Sequence, residues 1–254
     1  MDANLQASLD IHLKGLRLPT VLANYAVHAT EAVSAQKSYE QYLHGLVLSE
    51  QEVRHSNRVK QLVRRAKFPK TKTLSEYDFK KSGIEKATIA QLCQGYFLSD
   101  ATNVIFYGTP GSGKTHLALA LGRELCLAQY KVKFFTACEL VQELLHAKND
   151  LSLSKYFKRL MAFDLVIIDE LGYIPFEKVE SELLFQFISD RYERKSIMIT
   201  TNLPFSEWDE MFQDKMIATA AIDRLVHHSN VFRFEKESHR TEEAKRRRTA
   251  KMKA

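Results

Sequence analysis

A mainly parallel β-sheet covered on both faces by helices is the architecture this chain predicts. Three observations carry it: a glycine-rich loop between a strand pattern and a helix pattern, an apolar run ending in two acids, and strands alternating with helices from Asn103 onward. At 254 residues, the length suits one α/β domain with room for a smaller one beside it.

In chain order, residues 1 to about 75 read as helical. Tyr39, Tyr42, Leu43, Leu46 and Val47 keep helical spacing, and Val59, Leu62, Val63 and Ala66 continue the stripe. Phe68-Pro69 stops that helix. Lys70 to Gly83 reads as a linker, and Ile84 to Phe97 as a further helix. Strands are expected at 103–107, 132–136, 165–169, 197–201 and 231–234, and helices at 116–129, 139–147, 154–161, 180–193 and about 218–228.

Residues 108 to 115, GTPGSGKT, satisfy the phosphate-loop pattern G-x-x-x-x-G-K-[ST] at every required position. Gly108, Gly111 and Gly113 let main-chain N–H groups approach phosphate oxygens with no side chain in the way, and Thr109, Pro110 and Ser112 complete the loop. Lys114 then reaches the β- and γ-phosphates, and Thr115 offers a hydroxyl to Mg²⁺. The helix running on through His116 aims its N-terminal dipole at the same phosphates. The motif predicts a nucleoside triphosphate, with Gly108 to His116 as its cradle.

Leu165-Val166-Ile167-Ile168 is a buried-strand pattern that delivers Asp169-Glu170 to the sheet edge where ligands bind. Asp169 is the expected Mg²⁺ partner, and Glu170 the base that polarises an attacking water. Two acids there can also simply cap a turn. The fourth strand ends in Thr200-Thr201-Asn202, where Asn202, or less readily Thr201, can orient water or touch the γ-phosphate; shaping the turn before Leu203-Pro204 is the plainer role. Arg224 lies on a later helix and suits an arginine finger offered to a neighbouring copy, or else an ion pair with an acid such as Asp223. Arg240 can meet the same γ-phosphate or belong to a basic tail. His227-His228 reads as a surface pair, and Trp208 as a packing anchor.

The net charge of +6 is unevenly placed. Eight Lys/Arg fall between Arg54 and Lys72 with no acid between Glu52 and Glu76, and nine follow from Arg233 against four Glu. The core between is mildly acidic, so nucleic acid is a candidate partner, against the alternative of solvated helix faces and tails. No apolar run approaches membrane-spanning length, and the N-terminus lacks an export layout, so a cytoplasmic protein with no membrane partner is expected. Cys93, Cys126 and Cys138 form no C-x-x-C pair and read as free, buried thiols.

With these elements in place, the chain resembles the IstB-like transposition helper ATPases of bacterial insertion sequences, in the AAA+ branch that also holds the helicase loader DnaC. The likeness covers most of the chain: the Leu-rich N-terminal helices, Tyr77-Asp78-Phe79, GTPGSGKTHLALALG, LVIIDELGYIP, SDRYERKSIMITTNLPFSEW, AAIDRLVHHS and the closing SHR. It implies a P-loop AAA+ core with a five-stranded, mainly parallel sheet, preceded by a small all-α domain, with the lid domain absent or minimal. The expected divisions are 1–75 for DNA or partner binding, 76–240 for the ATPase and 241–254 for a basic tail. The resemblance implies ATP and Mg²⁺ as cofactors, a homo-oligomer with ATP between subunits, duplex DNA bound largely without regard to sequence, and delivery of that DNA to a cognate transposase. Carried over, Lys114, Thr115, Asp169 and Glu170 serve phosphate, Mg²⁺ and water, Asn202 is sensor 1 and Arg224 the finger in trans. Arg54, Arg58, Lys60, Arg64, Arg65 and Lys67 are then candidates for DNA backbone contacts. A replicative helicase loader is the nearest rival; a small-molecule kinase and a non-hydrolysing scaffold are more distant.

Overall fold

A computed structural model describes residues 3–234; the expectations for Arg240 and for the tail 241–254 lie outside those residues. Compact units divide between Gln61 and Leu62. The sequence reading draws its boundary at 75, but Leu62 and Ala66 are buried in the apolar cluster of the sheet unit.

The first unit is helical: α1 (Ala3–Gly15), α2 (Pro19–Ser34) and most of α3 (Tyr39–Ala66). Its organising residue is Glu50 of α3. That carboxylate accepts the Thr20 and Val21 amides at 2.9 and 3.2 Å, two of the donors that the start of α2 leaves unpaired, and Arg54 Nε at 2.7 Å. Burial pushes the Glu50 carboxyl up, but the hydrogen bonds from Arg54, Val21 and Thr20 outweigh it and hold the group below its ordinary value.

The second unit is built on β1 (Asn103–Gly108), β2 (Val132–Thr136), β3 (Leu165–Leu171), β4 (Ser196–Thr201) and β5 (Ser229–Phe234). They pair in the order β2-β3-β4-β1-β5, each pair parallel. Successive side chains feed opposite faces, as strand geometry requires. Val166, Ile168, Ile197 and Ile199 enter one core with α8 (Ala137–Asn149), α9 (Leu153–Met161), α10 (Lys178–Arg191) and α11 (Lys215–His227). Leu165, Ile167 and Met198 enter the other, with α5 (Lys86–Cys93) and α7 (Lys114–Leu127). Buried on both faces, β1, β3 and β4 read as apolar runs, which is why they were legible; β2 is interrupted by Lys133, and the edge strand β5 is half exposed.

Two segments differ from expectation. The helix predicted over 84–97 is α5 followed by a one-turn α6 (Tyr96–Ser99), broken at Gly95 with φ 78°. A Cβ at Gly95 would lie 2.3 Å from the Tyr130 ring, so the break admits a residue distant in sequence. The supposed linker holds the four-residue α4 (Phe79–Ser82), capped by the Asp78 side chain on the Lys81 amide, and the buried Tyr77.

The buried Arg191 holds the sheet's lower edge together. Its guanidinium donates to the carbonyls of Leu160, Phe163, Asp164 and Ser196 at 2.7–3.3 Å, and burial pulls its pKa down to about 9. No helix among the described residues is long and apolar enough to cross a membrane.

Candidate nucleotide site

The loop from Gly108 to Gly113 joins β1 to α7, with Lys114 and Thr115 opening the helix and His116 next. Gly108 takes φ 144°, and a Cβ there would meet the Phe234 carbonyl at 2.3 Å, so β5 packs directly on the start of the loop. Lys114, 9% exposed, donates from Nζ to the Gly108 and Thr109 carbonyls at 2.8 Å each. The ammonium is therefore held over the loop's own concavity. His116 Nε2 lies 3.2 Å from the Thr73 carbonyl, and its ring meets Tyr77 edge-on at 5.3 Å. Tyr77 also stands 3.2 Å from where a Gly113 Cβ would be, so the segment before β1 leans on the loop.

Because β4 lies between β1 and β3, the acids of β3 face the loop across the end of one strand. Asp169 is 4% exposed, and its Oδ1 accepts the Thr115 hydroxyl at 2.9 Å and the Thr200 hydroxyl of β4. Thr200 in turn accepts the Glu170 amide at 3.0 Å. The β3–β4 register is irregular between Ile168 and Leu171, and Glu170 has φ 61°. That bulge separates the two acids, leaving Asp169 buried and Glu170 exposed to solvent.

The residues fit a magnesium-bound triphosphate. Among the described residues, Ser112 Oγ is buried with no hydrogen-bond partner. Adjacent ligands of an octahedral Mg²⁺ with bonds of about 2.1 Å stand about 3 Å apart. The Thr115 and Asp169 oxygens already have that spacing, at 2.9 Å.

Other predicted residues are placed less directly. Asn202 follows β4, half-buried. Thr201, its weaker alternative, turns its hydroxyl to the Leu203 amide at 3.1 Å. Arg224 does not pair with Asp223: Nη1 donates to Ser189 Oγ at 2.7 Å and the guanidinium lies 4.6 Å over the Phe185 ring, both on α10. Arg58, Lys60, Arg64, Arg65 and Lys67 are exposed, whereas Arg54 is engaged with Glu50 and the Arg17 carbonyl. Trp208 is fully buried and donates to the Leu203 carbonyl, as an anchor should. Cys126 is buried, Cys93 partly so and Cys138 exposed; burial lifts the first two thiols to about 11. His227 and His228 gain an acid that their sequence neighbourhood lacks, Glu193, with His228 Nε2 3.5 Å from its carboxylate.

Thr200 is the residue that sequence reasoning missed. Its signal was present as one of two threonines at a strand end, but only the β3–β4 pairing tells which of them faces Asp169.

Comparison with known proteins agrees with this geometry. Residues 11–248 match the family described as IstB-like ATP binding protein. An insertion-sequence ATP-binding protein of Sinorhizobium fredii is 37% identical over 96% of this chain and 83% of its own length. The insertion sequence IS21 ATP-binding protein of Pseudomonas aeruginosa is 33% identical over 94% of this chain and 90% of its own. Among solved structures, the DnaC helicase loader is similar with a TM-score of 0.52 at 22% identity, over 58% of this chain and 86% of that one. DnaI is similar with a TM-score of 0.55 at 17% identity, over 70% and 94%. At such identities the structural likeness establishes the AAA+ fold alone.

Proposed function

The chain belongs to the IstB-like ATP-binding protein family of insertion sequences, and from that premise we propose that it is an ATPase that assembles on duplex DNA and hands that DNA to a partner transposase. The observation that carries the ATPase part of this reading is the convergence of the Thr115 and Thr200 hydroxyls on one oxygen of Asp169, beside the buried Lys114.

ATP supplies the phosphoanhydride whose cleavage drives the cycle, and Mg²⁺ offsets its charge. The chain's own residues do the rest. Loop amides from Gly108 to Gly113 and the α7 N-terminus hold the phosphates. Lys114 moves its ammonium from the loop carbonyls to the β- and γ-phosphates. Thr115 and Asp169 hold Mg²⁺, with Thr200 fixing the direction of the carboxylate. Glu170, turned to solvent by the bulge, takes a proton from water at its carboxylate. Asn202 orients that water. Arg224 leaves Ser189 and faces the γ-phosphate of an adjacent copy, stabilising charge there.

DNA contact is assigned to the exposed Arg58, Lys60, Arg64, Arg65 and Lys67, which read backbone rather than bases. The support is their exposure and the absence of acids between Glu52 and Glu76. The test is duplex binding as a function of salt with Mg·ATP present: affinity that falls steeply with salt supports the reading, and a flat response removes it. Co-purification with a transposase, and not with a replicative helicase, supports the delivery role over the loader.

A further inference from the structure

A cavity of about 150 Å³ lies between the end of α3, the segment that follows and α7. Arg64, Lys67, Lys70, Lys72 and Arg123 line it, and no carboxylate does. Apolar packing holds these cations together. Ala66 is completely buried, and Lys67 turns the chain at φ 58°. The Phe68 ring then seats on Gly122 of α7, where a Cβ would come within 3.1 Å of it, and meets Phe134 edge-on at 6.5 Å. The backbone of Lys67 to Lys72 is thereby fixed beside Arg123.

Five positive charges around a small volume with no carboxylate in its lining repel one another, and a bound anion relieves that cost. The space admits one tetrahedral phosphate group rather than a nucleotide. Arg123 and Arg64 supply planar forks for phosphate oxygens, and the lysines supply point charges. The next residue along, Thr73, meets His116 through its carbonyl, so the pocket wall is tied to the first turn of the nucleotide helix.

We propose that this pocket receives a backbone phosphate of duplex DNA, making the ATPase unit itself a DNA-contacting surface through Lys70, Lys72 and Arg123. It rests on the DNA-binding reading above and adds residues to it.

The test is fluorescence anisotropy of a labelled duplex with the full chain and Mg·ATP over a salt series. The parent is compared with a Lys72→Ala/Arg123→Ala double variant, with ATP affinity as the folding control. The expected result is about tenfold weaker DNA binding at ~0.1 M salt and a log–log salt slope lower by about one to two, with ATP affinity unchanged. A parent that binds DNA and a double variant with the same affinity and slope overturn the inference. A parent that binds no duplex at any salt overturns the DNA reading itself, a separable outcome. Inorganic phosphate, titrated by calorimetry, distinguishes the source. Phosphate bound by the parent and lost in the variant, with DNA affinity untouched, makes the pocket a free-anion site and overturns the proposal. If the double variant loses ATP binding, the single changes Lys72→Gln and Arg123→Gln decide by the same slope.

Discussion

The Thr200 hydroxyl donates to Asp169 Oδ1, so strand β4 sets the direction of the carboxylate that β3 delivers to the phosphate loop. Thr200 is 1% exposed and also holds the Glu170 amide. Thr200→Val keeps the shape and removes both hydrogen bonds. Loss of a group that orients a metal ligand typically costs 10–100-fold. Magnesium-dependent ATP turnover should fall by about that factor, with nucleotide binding in the absence of Mg²⁺ close to that of the parent. Equal turnover in the two proteins would remove Thr200 from the site.

Glu170 sits on the bulge with its side chain in solvent, while Asp169 beside it is buried. Their roles therefore separate. Glu170→Gln should bind Mg·ATP like the parent and lose hydrolysis by about 10²–10⁴-fold, the usual contribution of a general base. Asp169→Asn should weaken the Mg²⁺ dependence of binding as well. Calorimetry and phosphate release, run on both variants, check the split.

Arg191 donates to four carbonyls from a position 1% exposed. Arg191→Met fills much of the volume but removes all four of those hydrogen bonds, although the Leu160 carbonyl keeps the Phe163 amide. Stability should fall by about 3 kcal/mol or more, since unpaired buried polar groups cost about 1–3 kcal/mol each and some of the cost relaxes. Urea denaturation measures it; a midpoint within error of the parent would contradict this account of the edge.

Glu50 gives a pH dependence. Its folded pKa lies below the ordinary value of 4.5, so its contribution is fully present above that value and is lost as pH falls through the lower, folded value. Helicity of the N-terminal unit should therefore drop on acidification below about pH 4.5. Glu50→Gln should be less stable at neutral pH and should flatten that part of the curve, as far-ultraviolet circular dichroism would record.

Much of the fold was legible from local signals. Strands β1, β3 and β4 are apolar runs because both their faces are covered, and the loop and acids lie at fixed offsets from them. What sequence hid depends on distant partners. Gly95 breaks a helical pattern because Tyr130 fills its place. Arg224 is held by Ser189 and Phe185 rather than by the neighbouring Asp223. Thr200 and Thr201 are alike until the pairing of β3 with β4 gives one to Asp169 and the other to the Leu203 amide. Arg54 belonged to a run of like charges, yet its partner Glu50 lies one helical turn away and makes it structural.

We propose that ATP is hydrolysed between copies of this chain, with Lys114 from one and Arg224 from the next. The direct measurement is ATP turnover of Lys114→Ala and Arg224→Ala proteins, assayed alone and as an equal mixture in the presence of duplex DNA. Each alone should be nearly inactive, Arg224→Ala while still binding ATP. The mixture should regain activity at roughly a quarter of its head-to-tail interfaces, those that combine the intact lysine with the intact arginine. A mixture as inactive as its components, or an Arg224→Ala protein with parental turnover, would contradict the shared site.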